Sequence, residues 1–372
     1  MRRIVQVVCA AALGIALSAS YAAAAVAQPA KPTTQSWGSG RVIVVWPGHS
    51  IQAAVNRARP GDTVLVKPGV YHQGVLIQKN DINLEGSGDS WHGTVLESPR
   101  HPRHNICNSA FGSTGVCVFA KRVTPTGHIL RGVHNVAVSK MLVTGFSGSG
   151  VFGFGVRGLA VTHVSAVNDG GYGISRFESS RTIFADDSAI GNDEAGFYVG
   201  DSPHADAIVT HDFAAGNAIG IFIRHARHVL VVKNLVTRNC QGIFVLDDGH
   251  RGGVGNATIS KNAAIKNNKF CPKGGDQPVD LSGGGILLLG ATRTRVVTNA
   301  VIGNKGTQIN SGGIVVASAN PLTKGSDPRH DLIAHNAAFR NSPADLIWDG
   351  TGFDIHFVHN ACNKSIPTGL CH

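Results

Sequence analysis

The sequence predicts an all-β protein that folds as one solenoid of roughly ten stacked coils, a parallel β-helix. Composition is the first observation: 47 of 372 residues are Gly and only 15% are charged, which favours strands and tight turns over surface helices. The second is a repeat whose opening glycines recur every 22 to 24 residues, at positions 150, 173, 196, 220 and 242. The third is a pair of polar residues five positions apart in each repeat, as in Asn234 and Asn239.

Each repeat is expected to contain short strands joined by polar corners. Apolar residues such as Ile221 and Ile223 alternate with others, so one side of each strand faces inward. Coils of this kind stack at about 4.8 Å, and an Asn repeated at one corner can bond to its counterparts and satisfy the turn backbone. Leucine-rich and propeller repeats agree less well, because neither an LxxLxL consensus nor a blade of about 40 residues occurs. The pairs of polar corner residues, which we call polar slots, are predicted at positions 163/168, 187/192, 212/217, 234/239, 262/267, 299/304 and 336/341.

The N-terminal segment predicts export. Arg2 and Arg3 precede a mostly apolar run and the small-x-small site Ala25-Val26-Ala27, so residues 1–27 are predicted to be a signal peptide rather than a buried helix. Residues 28–40 are expected to be a flexible lead-in, and residues 41–372 the β-helix domain. Loss of the two arginines leaves 31 basic against 23 acidic residues, a net charge of +8.

Two caps are predicted for the open ends of the solenoid, where strands and core would otherwise be exposed. The first is a helix over residues 50–58, because Ser50 is a typical N-cap and apolar residues follow at helical spacing. The second is the segment 362–371, which a disulfide bond is expected to close.

Six of the seven cysteines remain after the signal peptide is removed, and an even number in an exported chain favours disulfides. Proximity in the sequence suggests Cys107–Cys117, Cys240–Cys271 and Cys362–Cys371 among many possible pairings. No spacing is CxxC, which argues against a zinc cluster. No apolar segment after the signal peptide is long enough to span a membrane, so we expect a secreted monomer.

Two segments near the first cap carry a family resemblance. SIQAAV at residues 50–55, followed by PGDTVLVKPGVY at residues 60–71, resembles the opening motif of secreted right-handed parallel β-helix repeat proteins. With the Asn-rich coils, the resemblance to this pectate-lyase-like superfamily covers nearly the whole mature chain. It implies a right-handed β-helix, and the general character of the sequence suggests a bacterial source. It does not select an activity, because such proteins include polysaccharide lyases, epimerases, hydrolases, metal-delivery accessory proteins and adhesins.

An aromatic column is predicted on the outside of the coils. Two positions after the opening glycine come Phe152, Tyr198, Phe222 and Phe244, which point outward by strand parity. Tyr198, Phe222 and Phe244 are predicted to bind substrate as a platform on which sugar rings stack. The alternative is that a loop, such as residues 98–128, covers the column.

An ionisable column lies five positions after the glycine, at Glu178, Asp201, His225 and Asp247. With the adjacent Asp248, the carboxylates of Glu178 and Asp247 are predicted to hold Ca²⁺, a cation that prefers oxygen ligands. The alternative is that these residues only form turns, as the sequences DSP at 201–203 and DDG at 247–249 suggest.

Three basic residues, of which His225 belongs to this column and Arg224 and Arg176 precede it, are candidates for catalysis and recognition. Arg224 or His225 would be the catalytic base, and His225 has the more suitable titration range. Arg176 would bind a uronate carboxylate through two hydrogen bonds. A six-residue insertion near residues 250–256 and a longer one at 268–284 are expected to form cleft walls beside these residues.

These features favour a secreted protein that binds an acidic polysaccharide or cell-wall glycan and abstracts the proton next to a uronate carboxylate. The basic residues Arg100, Arg103, Lys121 and Arg122 agree with an acidic partner. No nucleic-acid-binding or P-loop motif occurs, so neither nucleic acid nor ATP is an expected ligand. The alternative is a non-catalytic carbohydrate-binding or structural protein of the cell surface. The number of His, 18, suggests a metal-handling accessory protein as a third interpretation, but their scattered positions argue against it.

Overall fold

The protein is described here from a computed structural model covering residues 40–102, 105–274 and 277–371. The predicted signal peptide and residues 28–39 of the lead-in lie outside these residues. Within them the chain winds as a parallel β-helix, in which each full coil adds one strand to a first, a second and a third face in turn. The third face contains eleven strands, in agreement with roughly ten predicted coils.

The bounds of the strands follow the three faces. The first face comprises Val42–Val45, Thr63–Val66, Ile82–Gly88, the first halves of Val133–Thr144 and Val156–Val167, Ile183–Ala185, Ala207–Thr210, Val229–Val232, Thr258–Ser260, Arg295–Val297, Leu332–Ala334 and His356–Val358. The second comprises Gly69–His72, Thr94–Glu97, the second halves of the two long strands, Ser188–Ile190, Phe213–Ala215, Leu235–Thr237, Ala263–Ile265, Ala300–Ile302, Ala337–Phe339 and Ala361–Cys362. The third comprises Val75–Ile77, Val116–Phe119, Val151–Phe154, Ile174–Phe177, Ala195–Ser202, Ile219–Ala226, Gln241–Leu246, Gly284–Leu289, Gly312–Ala317, Leu346–Trp348 and Ser365–Ile366.

The core is a stack of like residues inside the coils, as the alternating pattern predicts. Ile221 pairs in register with Phe197 on one side and Ile243 on the other, and all three are fully buried. The same columns continue through Ile286 and Ile314. Because equivalent positions stack on one another, the coils have similar cross-sections. The apolar positions of one repeat therefore predict those of the next.

Two ladders of polar residues, nearly all of them buried, run along the corners on either side of the second face. One contains Asp187, Asp212, Asn234, Asn262, Asn299, Asn336 and Asn360; the other contains Asp169, Asn192, Asn217, Asn239, Asn267, Asn304 and Asn341. At each step a side-chain oxygen accepts the backbone N–H of its counterpart, as Asn239 Oδ1 does from Asn217 at 2.9 Å. The predicted slot 163/168 is wrong by one residue, because Val164 and Asp169 donate to Asp187 and Asn192.

A short helix lies near the first strands of the described solenoid, and a disulfide bond lies near its last strands. The helix Ile51–Arg57 buries Ile51, Ala54 and Val55, and the Ser50 hydroxyl accepts a hydrogen bond from the Ala53 N–H at 3.1 Å. The three disulfides are those that sequence proximity predicts, and Cys362–Cys371 lies at the C-terminal end.

A second short helix, Ile106–Phe111, and an antiparallel pair, Arg122–Val123 with Ile129–Arg131, belong to the segment inserted before the long strands. Neither helix in the described part of the chain has the length or apolar character that a membrane crossing requires.

Candidate functional site

The aromatic column of the third face is largely buried. Tyr198 is 0% exposed and Phe244 is 5% exposed, while Phe222 is half-buried between them. The prediction that these rings form an open stacking platform is therefore wrong for Tyr198 and Phe244. The rings do point out of the coil, as strand parity predicts, but parity does not show what packs on them.

Two inserted segments cover this column. Near the N-terminal end, Cys107, bonded to Cys117, packs against Phe119 and Phe152. Further along, Cys271 and Leu281 of the 268–284 insertion pack with Phe244. Cys271 is tied to the coil by its disulfide with Cys240, so the insertion is held against the face. These contacts bury the outward aromatic side chains in two small apolar clusters outside the main core, so that solvent does not reach most of them.

Arg176 does not reach the outside of the solenoid. It pairs in register with Gly153 and Val199, at an inward position, and is fully buried. Its guanidinium donates to Thr182 Oγ1 at 3.2 Å, to the Ala205 carbonyl at 2.8 Å, and to the Ser202 hydroxyl. Burial lowers the pKa of Arg176 to about 9. The prediction that Arg176 binds a substrate carboxylate is therefore wrong, and its contacts join neighbouring coils.

The predicted calcium ligands are not brought together. Glu178 is exposed three coils from Asp247, a separation of about 14 Å along the axis, and its pKa is raised by burial and by Asp201. Asp247 turns toward a neighbouring loop, where its carboxylate accepts from the backbone N–H groups of Gly249 and Ser326, each at 3.0 Å. These bonds make Asp247 a loop anchor.

A charge cluster consisting of Arg224, His225, Asp248 and His250 lies at the end of two adjacent third-face strands. The Asp248 side chain is 4% exposed, and its Oδ2 accepts from Arg224 Nε at 2.8 Å and from His250 Nδ1 at 2.9 Å. Burial alone would raise the pKa of Asp248, but His250 and Arg224 hold it below its usual value. Asp248 is therefore an ionised carboxylate that orients two basic side chains.

Arg224 remains a cation in this cluster. Burial acts to lower its pKa, but the nearby carboxylates of Asp248 and Asp201 raise it above the usual value. Its side chain is 35% exposed, so part of it is open to solvent. A strongly held proton argues against Arg224 as a base and favours it as a partner for an external carboxylate.

The two histidines differ in the freedom of their ring nitrogens. His225 Nε2 donates to the Arg251 carbonyl at 2.6 Å, and its Nδ1 lies 3.4 Å from Asp201 Oδ1. His250 uses Nδ1 toward Asp248, its side chain is 63% exposed, and no described residue bonds to its Nε2. In neutral imidazole a protonated Nδ1 leaves Nε2 as the acceptor. The geometry therefore favours His250 over His225 as the base.

The sequence did not indicate His250 as a site residue, because the candidate residues were those at positions that recur in the repeat. His250 lies instead in the insertion that begins after Asp248, where Gly249, Gly252 and Gly253 adopt positive φ angles. That insertion folds back over the coil, so that the Arg251 carbonyl reaches His225. The six extra residues were the available signal, since insertions on a regular scaffold frequently carry functional groups.

Tyr198 lies beneath this cluster. A side chain at position 200 would meet its ring, since an added Cβ would lie 2.2 Å from the Tyr198 hydroxyl, so Gly200 makes room for it. The hydroxyl is buried and has no hydrogen-bond partner among the described residues. Burial and the charge of Asp201 raise the pKa of Tyr198, against the opposing effect of Arg224. Tyr198 is therefore a neutral, fully buried phenol, packed against Tyr172, Phe177 and Phe222.

Of the three predicted carboxylates, Asp248 belongs to a group of described residues that could hold a metal ion, whereas Glu178 and Asp247 do not. Candidate ligand atoms of His225, Asp248 and His250 lie within 4.8 Å of one another. Two imidazoles and one carboxylate form a ligand set that suits Zn²⁺ or a similar transition metal better than Ca²⁺.

Comparisons with known proteins agree with the architecture. The family described as "Right handed beta helix region" matches residues 104–251 and 149–326. The A-module of mannuronan C-5 epimerase AlgE6 from Azotobacter vinelandii is 16% identical with a TM-score of 0.51, over 83% of this chain and 88% of that chain. A DFA-IIIase from Arthrobacter chlorophenolicus A6, in complex with DFA-III, is 12% identical with a TM-score of 0.59, over 87% of this chain and 85% of that chain. At these identities the likeness concerns the fold alone. No curated protein matches the chain significantly.

Proposed function

This chain belongs to the right-handed β-helix family, and from that premise we propose that it is an exported enzyme acting on an acidic polysaccharide. The reaction we propose is removal of the proton on the carbon next to a uronate carboxylate. The observation that carries this proposal is the arrangement of Arg224, Asp248 and His250, which combines a cation for the carboxylate with an oriented imidazole for the proton. The three disulfides are compatible with an extracellular location. Among similar folds, a mannuronan C-5 epimerase provides a precedent for chemistry on a uronate.

Arg224 is assigned to the substrate carboxylate. Its Nε is engaged by Asp248, and the remaining N–H groups of a guanidinium can donate to a second carboxylate. Such a charge-assisted contact neutralises the uronate and makes the adjacent C–H bond more acidic.

His250 is assigned as the base. Asp248 accepts the Nδ1 proton and thereby holds the imidazole with Nε2 available. When Nε2 takes the proton from carbon, the electrons of the broken C–H bond pass into the carboxylate, which Arg224 stabilises. In an elimination, His250 then gives this proton to the departing glycosidic oxygen and a carbon–carbon double bond forms. In an epimerisation, the carbon instead accepts a proton from water on its opposite face, the hydroxide so formed takes the proton from His250, and no bond to oxygen of the sugar breaks.

A panel of polyuronates and neutral glycans tests the proposal. Elimination is detected by the ultraviolet absorbance of the unsaturated product, and epimerisation by the proton NMR spectrum of the polymer. We expect turnover only of a polyuronate, and a loss in kcat of about 100-fold or more for His250→Gln. His92→Gln, a change at an exposed His outside the cluster, should retain activity. Binding of a polyuronate without turnover would overturn the proposal and favour the non-catalytic alternative.

The same panel tests the calcium requirement predicted from the sequence. Since Asp247 and Asp248 are engaged by protein groups and Arg224 supplies the positive charge, we expect activity to persist in a chelator. Activity that disappears in the chelator and returns with Ca²⁺ would contradict the role given to Arg224.

A further inference from the structure

Each of the two corners that flank the second face has a row of residues with positive φ, and the non-glycine members have exposed side chains. The corner between the first and second faces has Lys140, His163, Asp186, His211, Lys233, Lys261, Thr298, His335 and His359 at equivalent positions. The corner between the second and third faces has Asn168, Gly191, Gly216, Arg238, Lys266, Gly303 and Arg340. Asp186 is the one acidic residue among these positions, and the other charged residues are basic. We call the two sets of positions the basic rows.

The backbone at these positions makes the choice of residue unusual. Lys233, Arg238, Lys261 and Lys266 have φ angles of 61°, 58°, 56° and 50°, in the left-handed region that favours Gly and Asn. Their side chains are exposed and are not part of the core. Packing therefore gives no reason for a long cationic side chain at these corners.

Electrostatics within the chain gives no reason either. Lys233 and Lys261 stand on adjacent coils, about 4.8 Å apart along the axis, and Arg238 and Lys266 do the same on the other corner. None of the four makes an ion pair with a described residue. Like charges at this spacing repel each other, so the rows destabilise the isolated protein unless an external anion binds.

The surface between the rows has a different character. Leu235, Ile265, Ile302 and Phe339 point outward from the second face and are only partly buried. The corners on either side are five residues apart, or about 16 Å for extended chain. The second face is thus a flat apolar strip bordered by positive charge.

We propose that this strip, with its two basic rows, binds a linear acidic polysaccharide lying along the axis of the solenoid. Lys233 with Lys261, and Arg238 with Lys266, place cations on two adjacent coils at a spacing of about 4.8 Å, which is comparable to the length of one sugar in an extended chain. Two neighbouring carboxylates of the polymer therefore meet these two coils. The apolar strip accepts the C–H faces of the sugar rings, a surface that neither a duplex nucleic acid nor a lipid headgroup layer requires. The ligand class is that of the proposed function, but the residues are separate from the charge cluster.

Charge-removing variants with a matched control test this proposal. The test variant changes Lys233, Arg238, Lys261 and Lys266 to Gln, and the control changes four other exposed cations, Arg57, Arg59, Arg131 and Lys364, to Gln. Both lower the net charge equally and alter only exposed side chains, and circular dichroism with thermal melting checks the fold. Affinity for polymannuronate is measured over a range of salt concentrations, with His250→Gln included as a variant of the charge cluster.

We expect the test variant to lose about tenfold or more in affinity and to show a weaker salt dependence, since several charge-assisted contacts are lost together. The control and His250→Gln should bind as the wild type does. Equal losses in test and control variants would overturn the proposal, because bulk charge would then explain binding. Wild-type affinity in the test variant would also overturn it, as would tighter binding of duplex DNA or anionic vesicles through the same four residues. Row-dependent binding without turnover would overturn only the proposed function.

Discussion

At the scale of single residues, the ladders contain aspartates where most coils have asparagine. Asp169, Asp187 and Asp212 are buried and accept backbone N–H groups as the asparagines do. Burial raises the pKa of Asp169 to about 8, and burial with the neighbouring Asp212 raises the pKa of Asp187. A protonated carboxyl resembles the neutral amide, so the ladder accepts it, but ionisation places an uncompensated charge in the core.

The variant Asp169→Asn tests this account through the pH dependence of stability. Between the ordinary value of 3.8 and about 8, folded Asp169 keeps a proton that the unfolded chain releases, so unfolding free energy falls as pH rises through this window. The amide removes that dependence, and we expect it to stabilise the protein by about 1 kcal/mol at pH 7. Thermal melting from pH 4 to pH 9 measures the effect. Asp193→Asn, at an exposed neighbouring position, should melt as the wild type does; a wild-type pH profile in Asp169→Asn would contradict the account.

The same scale shows why some site residues were predictable and others were not. Strand parity already placed Arg176 inside, three positions after the opening glycine, and its charge led to the mistaken surface assignment. Arg224, at an outward position, does reach the surface. Asp248 was also predictable, because it comes directly after Asp247 of the ionisable column. His250 could not be predicted from the repeat, because an insertion has no counterpart in other coils to fix its direction.

At the scale of elements, the ladders supply hydrogen-bond partners for the backbone groups of the corners. Asn239 accepts from the backbone and side chain of Asn217 at 2.9 and 3.1 Å, and donates to the Ala214 carbonyl at 3.1 Å and to Asn267 at 2.9 Å. The five-residue spacing in the sequence predicted these bonds because it recurs with the coil. The two covers of the third face had no such signal, since their contacts join segments with no shared pattern.

Truncation of one ladder residue should weaken the whole solenoid. Asn239→Ala leaves buried donors and acceptors in two coils without partners, and we expect a loss of about 2–4 kcal/mol in unfolding free energy. Arg238→Ala, at the exposed position immediately before it, should change stability by about 0.5 kcal/mol or less. Chemical denaturation of the two variants measures the difference. Equal and small effects would mean that the ladder bonds do not stabilise the corners.

At the scale of the whole molecule, the solenoid gives each face a separate character. The third face buries its aromatics beneath two inserted segments and presents the charge cluster at its edge, whereas the second face presents an apolar strip between basic rows. Composition predicted the strand-and-turn fold and the repeat predicted its stacking. The sequence did not show which faces and corners carry the charged residues, because the corners of different coils come together only in the folded chain.

The most direct test of the central claim is exchange of the uronate proton with solvent. The protein is incubated with a polyuronate in D₂O, and deuterium on the carbon next to the carboxylate is followed by NMR and mass spectrometry. The account predicts deuterium incorporation, or a product unsaturated at that carbon, with wild type and with His92→Gln, and a loss of about 100-fold or more with His250→Gln. No exchange and no unsaturated product in any polyuronate that the wild type binds, or unchanged exchange in His250→Gln, would contradict it.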